Sequence, residues 1–171
     1  MVVAINKPFK PDYSKPNAYR PISLMECTGK LLEKIITKWI NNDIQMHNLL
    51  PMTQFGSQPH HSTIDAAATL VHRIQATHTT KCVGALLLFN ILGFFDNVNP
   101  AHTIQIFRDK GFPPGMCAWV ESFLSTRKAT LKGGGHTSKP FEILSGTPQG
   151  SPLSPILSVM YTANLLEMTS T

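Results

Sequence analysis

Gly84-Ala-Leu-Leu-Leu-Phe-Asn-Ile91 is the stretch whose reading decides the fold class. It is a short, continuous apolar run without alternation, too short for a typical helix. A run of that kind, bounded by turn formers, reads as a strand buried on both faces. The segments on either side repeat with helical period, so the expected class is α+β.

Upstream, Leu31, Leu32, Ile35, Ile36, Trp39, Ile40 and Ile44 recur at three- and four-residue steps and predict a helix, with Ser23-x-x-Glu26 as a capping box before it. A loop through Leu50-Pro51 and Gly56 leads to a second helix. Ser62-x-x-Asp65 caps it, and Ile64, Ala67, Ala68, Val71 and Ile74 line one face. Pro8, Pro11, Pro16 and Pro21 punctuate an extended lead-in that cannot be a regular helix.

Downstream, Asn99 as N-cap, Pro100 at the first helical position and Gly111 after the last turn frame a third helix. Pro113-Pro114 opens a fourth, with Trp119, Val120, Phe123 and Leu124 on its buried side. Residues 127–132 and 141–144 read as two short strands about Gly133-Gly134-Gly135. A last helix follows Gly146–Pro152 and carries Ile156, Leu157, Met160 and Leu165. The expected division is a lead-in over 1–16, a helical region over 17–80 and a mixed region over 81–171.

Composition narrows the function classes. With 42% apolar and 15% charged residues among 171, the chain is not composed like a disordered one. The formal charge of +5 is uneven: residues 1–40 hold seven Lys/Arg against three acids, and residues 107–139 six against two. Two basic blocks suit a polyanionic partner such as nucleic acid. Cys27, Cys82 and Cys117 are too far apart for a zinc site or a disulfide framework, which points to a reducing, intracellular setting without specifying nucleus or cytoplasm. His60, His61, His72 and His78 lack the accompanying thiols or carboxylates of a metal site. The longest apolar run, Val83–Phe89, falls far short of the ~18 residues that span a bilayer, so no membrane association is expected.

Four blocks, in order, carry a resemblance. They are Asn17-Ala-Tyr-Arg-Pro-Ile-Ser-Leu24 with Gly29-Lys-Leu-Leu-Glu-Lys34; Gln54-Phe-Gly56 with His61-Ser-Thr-Ile-Asp-Ala66; Leu88-Phe-Asn-Ile-Leu-Gly-Phe-Phe-Asp-Asn-Val98; and Gly146-Thr-Pro-Gln-Gly-Ser-Pro-Leu-Ser-Pro155. Together they resemble the reverse transcriptases of non-LTR retrotransposons. The resemblance implies the fingers and the N-terminal part of the palm of a right-hand polymerase, with an incomplete palm sheet. It implies RNA-templated DNA synthesis on an RNA template and a DNA primer. Two Mg²⁺ ions would serve, held in the family by an aspartate at a palm strand end and a pair in a Tyr-x-Asp-Asp turn.

Here the chain departs from the pattern. Asn90 occupies the strand-end aspartate position, and an amide offers one neutral oxygen where a carboxylate offers charge. No Tyr-x-Asp-Asp occurs before Thr171. Asp96 belongs to the motif, but in the family it is not a metal ligand. The expectation is therefore a truncated, inactive copy that holds no Mg²⁺ and in which no catalytic residue is intact. The alternative is a non-catalytic nucleic-acid-binding remnant with weak, nonspecific affinity.

By the resemblance, Arg20 meets the incoming triphosphate, as a planar guanidinium suits phosphate oxygens. A plain surface cation before Pro21 is the other reading. Phe95 matches a steric gate against the 2′-hydroxyl, and fits core packing beside Phe94 equally well. Gln149 and Gly150 match the loop under the incoming deoxynucleotide, stiffened by Pro148 and Pro152. Gln58 stands where a basic residue is expected.

Overall fold

The computed structural model describes residues 1–168, with side chains described through residue 165. Among the described residues, four of the five α-helices carry the core. In α1 (Cys27–His47), Ile36, Ile40 and Ile44 recur at four-residue steps and form the buried stripe. Glu33 lies one turn earlier on the same face and is carried into the interior with them. Leu31, Leu32, Ile35 and Trp39, which belong to the same periodic set, remain exposed.

α3 (Pro100–Asp109) begins as its sequence demands. Asn99 accepts a hydrogen bond from the His102 N–H, Pro100 occupies the first turn, and Gly111 (φ 79) follows the end. It buries Ile104 and Phe107 and packs against both α4 (Pro114–Leu124) and α5 (Ser154–Met168). Val120 and Leu124 of α4 are buried, with Trp119 and Phe123 half-buried against them. α5 buries Ile156, Leu157, Val159, Met160 and Ala163, as expected of a helix enclosed on most sides.

α2 (Thr63–Thr79) has the capping box that its sequence announces: Asp65 N–H donates to the Ser62 side chain, and the Asp65 carboxylate accepts from the Ser62 N–H. Its apolar residues Ile64, Val71 and Ile74 nevertheless stay exposed.

The strands among the described residues form two sheets. β1 (Val2–Asn6) pairs antiparallel with β2 (Tyr19–Ser23) and parallel with β4 (Leu131–Gly133), which pairs with β5 (His136–Thr137) in the order β2-β1-β4-β5. β3 (Arg127–Ala129) pairs antiparallel with β6 (Phe141–Ile143). The extended lead-in is thus in part a paired strand, continued by a 3-10 turn at Pro16–Ala18. The single strand expected over 127–132 is two strands in different sheets, divided at Thr130, whose carbonyl is taken by the Val2 N–H at 2.8 Å.

Two further expectations are corrected. Residues 82–91 are not a strand: their backbone is unpaired in any sheet, and Val83, Leu87, Leu88 and Phe89 are exposed. An apolar run becomes a strand only when a neighbour takes up its N–H and C=O groups, and among the described residues none lies beside it. The Ser23-x-x-Glu26 capping box is also absent. Glu26 is the N-cap residue of α1 but gives no side-chain cap, because Ser23 belongs to β2, opposite Val2.

Candidate functional site

The loop over residues 145–152 is the point where distant motif segments meet. Gly146 adopts φ 79, and a Cβ there would stand 2.8 Å from the Asp96 carbonyl oxygen and 2.9 Å from that of Phe95. Only glycine permits both the left-handed backbone and this approach. The Gly146 N–H donates to Val98 O and the Thr147 N–H to Phe95 O, each at 2.7 Å. On the other flank the Ser23 N–H of β2 donates to Gln149 O at 2.7 Å. Gly150 lies so close that a Cβ would be 3.1 Å from Ser23 O and 3.5 Å from Ile22 Cγ2. Ser154 Oγ, at the start of α5, donates to Pro148 O at 2.7 Å and ties the loop to the helix.

Arg127, outside the motif blocks, and the Ser151–Glu33 pair, inside them, complete this clamp. Arg127 of β3 donates Nε–H to Leu124 O at 3.1 Å, and Nη2 to Ser145 O at 2.9 Å and Gly146 O at 2.6 Å. Burial pushes its guanidinium pKa down from the usual value, yet an arginine so placed stays charged at neutral pH. Ser151 Oγ donates to the buried Glu33 carboxylate of α1, and accepts from the Leu153 N–H at 3.1 Å. Arg127 reads in sequence as one cation of a basic block, and Glu33 as one polar position of a helix. Glu33 has two sequence signals, its place in the Gly29-Lys-Leu-Leu-Glu-Lys34 block and its position one turn before the 36/40/44 stripe.

The candidate residues divide into two groups. Arg20 is exposed on β2 opposite Ile5, and by strand alternation shares a face with Ile22, which reaches towards Gly150. Phe95 is half-buried, set edge-on against Phe94 at 5.2 Å, and its carbonyl receives the Thr147 N–H. The segments carrying Arg20, Phe95, Gln149 and Gly150 are therefore joined by backbone hydrogen bonds. Asn90 is exposed within 82–91 and has no described contact with them. Gln58 is engaged elsewhere, donating to Gln54 O at 2.9 Å.

Beside the loop opens a cavity of about 510 Å³, whose polar lining includes Asp96, Arg127, Lys128 and Gln149. Met1, Val2 and Phe141 are among its apolar walls. Asp96 is its one carboxylate among the described residues, and two cations accompany it. This donor set suits an anionic or hydroxyl-bearing group and does not fit a pair of Mg²⁺ ions, which require several carboxylate oxygens. Among the described residues no three His, Cys, Asp or Glu side chains converge. Burial pushes the Cys117 thiol pKa up, and that side chain lies in the core. No described helix is long and apolar enough to cross a membrane.

The chain is thus a fold of mixed helix and strand in which segments of separate motif blocks are hydrogen-bonded to one loop. It belongs to the reverse transcriptase (RNA-dependent DNA polymerase) family, whose profile matches residues 6–171. The chain is 33% identical over 165 residues to a probable RNA-directed DNA polymerase from transposon BS of Drosophila melanogaster, covering 96% of this chain and 18% of that protein. It is 30% identical over 166 residues to the RNA-directed DNA polymerase from mobile element jockey of Drosophila funebris, again 96% of this chain and 18% of that protein. A Pol polyprotein from the type-2 retrotransposable element R2DM of Drosophila melanogaster is 31% identical over 145 residues, 84% of this chain and 13% of that protein. The chain thus spans less than a fifth of the length of these curated relatives.

Proposed function

We propose that these residues form the fingers and the beginning of the palm of a right-hand polymerase, the part that faces the incoming deoxynucleotide over an RNA template and a DNA primer. Residues 17–80 are the fingers-like region and 81–171 the partial palm. Arg20 meets the triphosphate, Phe95 packs against the sugar, and Gln149 and Gly150 lie beneath the nucleotide. The observation that carries the reading is the set of backbone hydrogen bonds joining Ser23 to Gln149, Phe95 to Thr147 and Val98 to Gly146. Those bonds join segments of three motif blocks at one loop, which supports the reading.

The same reading assigns this stretch no polymerase chemistry of its own. Asn90 presents a neutral amide where the family has a metal carboxylate, and the 171 residues contain no two adjacent aspartates. What remains is the capacity to bind nucleic acid through the basic blocks, in an intracellular setting. Asn90 is the observation that favours this non-catalytic binding reading.

Titration of a labelled RNA–DNA hybrid across ionic strengths tests the binding. Affinity through Lys/Arg–phosphate contacts falls steeply and linearly in log–log form as salt rises. An affinity unchanged between low and physiological salt would rule out the electrostatic account.

A further inference from the structure

We infer that the loop between β1 and β2 is a stacking site for an unpaired nucleobase, with Phe9 as the platform and Lys10 beside it for the adjoining phosphate. The inference rests on the nucleic-acid reading above and locates one contact within it.

The loop, residues 7–18, is closed at its base by the Lys7 N–H donating to Ala18 O at 2.8 Å, next to the Asn6–Tyr19 pair of the β1–β2 ladder. It is stiff along its length. Tyr13 Oη donates to Lys7 O and Tyr19 Oη to Tyr13 O, both at 2.8 Å, and the two rings meet edge-on at 6.2 Å. Lys7 Nζ donates to Asn17 O at 3.0 Å, and Asp12 accepts from the Ser14 N–H and Oγ. Pro8, Pro11 and Pro16 fix their own φ angles.

On this frame Phe9 is 100% exposed. Its φ of 59 lies in the left-handed region, which a bulky side chain rarely enters. Folding therefore gains nothing from the ring and bears a steric cost to hold it outward, a combination that points to a role in recognition. The flanking chemistry identifies the ligand. Phe9 sits in Lys7-Pro8-Phe9-Lys10-Pro11, within the block of residues 1–40 where seven Lys/Arg face three acids. An aromatic face among cations is the device by which single-stranded nucleic acid is bound, each base offering a π-face and each link a phosphate. In a duplex those faces are already stacked, so the site takes an unpaired base. A protein partner would need a wider apolar surround than two prolines provide.

The test uses the 171-residue chain as native, Phe9→Ala, Phe9→Leu and Phe9→Trp. Each is titrated at low salt with a short labelled single-stranded RNA and with a blunt duplex of equal length. Because Phe9 is fully exposed, the variants should melt as the native chain does. Phe9→Ala and Phe9→Leu should weaken single-strand binding roughly tenfold, Phe9→Trp should retain it, and duplex binding should not change. A fluorescent base analogue in the single strand should be quenched by the native chain and not by Phe9→Ala. Equal losses on single strand and duplex, full binding by Phe9→Leu, or full binding by Phe9→Ala would each overturn the inference. So would a Phe9-dependent attachment to anionic lipid vesicles in place of RNA. If the native chain binds neither RNA, the nucleic-acid reading itself fails. If it binds both independently of Phe9, only the stacking site does.

Discussion

Replacing Arg127 with methionine keeps an apolar stem of similar reach and removes every donor, so it isolates the clamp on the 145–152 loop. Three hydrogen bonds are lost. The one to Ser145 O is exposed, and water replaces it at little cost. Those to Leu124 O and Gly146 O are partly buried, and their acceptors lie on buried residues. A hydrogen bond from a charged donor contributes about 1.5–3 kcal/mol, less where solvent screens it. Counting the two partly buried bonds at about 1 kcal/mol each gives a loss near 2 kcal/mol. For a chain of this size that corresponds to a melting temperature lowered by roughly 4–8 °C. Arg127→Lys keeps the charge but reaches one carbonyl at a time, and should recover about half. Circular dichroism melting gives the global figure. Hydrogen exchange at the Gly146 and Thr147 amides, which donate to Val98 O and Phe95 O, gives the local one. A melting temperature within about 1 °C of native, with unchanged exchange at both amides, would refute the clamp.

Two other perturbations probe the supports of the fold. Ser151→Ala strands the buried Glu33 carboxylate without its donor and should cost about 3 kcal/mol in urea unfolding, whereas pairing it with Glu33→Gln should recover about 1–2 kcal/mol; purely additive effects would contradict a direct pair. The Asp65 carboxyl is held below its usual pKa by hydrogen bonds from the Ser62 side chain and backbone, so its support of α2 is complete above about pH 4 and disappears as pH falls through the lowered value. Amide protection at the start of α2 should show that acid step in the native chain and lack it in Asp65→Asn.

What could be read from sequence was local. Asn99, Pro100 and Gly111 frame α3, and Ser62 with Asp65 caps α2, because each satisfies backbone groups within a turn of itself. Segments of three of the four motif blocks meet at the 145–152 loop. Long-range partners were not legible. The parallel pairing of Val2 with Leu131 depends on a neighbour more than a hundred residues away, and the Glu33–Ser151 bond spans 118. The run at 84–91 failed in the opposite sense: its composition suits a buried strand, but composition cannot provide the neighbour that makes one. Ser23 illustrates competition, since a residue suited to cap α1 was taken by the β1–β2 ladder.

The central claim is that this stretch has the surface of a reverse transcriptase without its metal chemistry, and primer extension tests it most directly. An RNA template, a DNA primer and deoxynucleotides are supplied with Mg²⁺ and, separately, with Mn²⁺, to the native 171-residue chain and to Asn90→Asp. An aspartate at position 90 would be one metal-binding carboxylate of the family's set, and lacking it would cost on the order of 10³-fold in rate. Ligands that act as one unit are not restored singly, so the repaired residue stands without companions. The account predicts no incorporation above background by either chain with either metal. Deoxynucleotide incorporation by the native chain would contradict it.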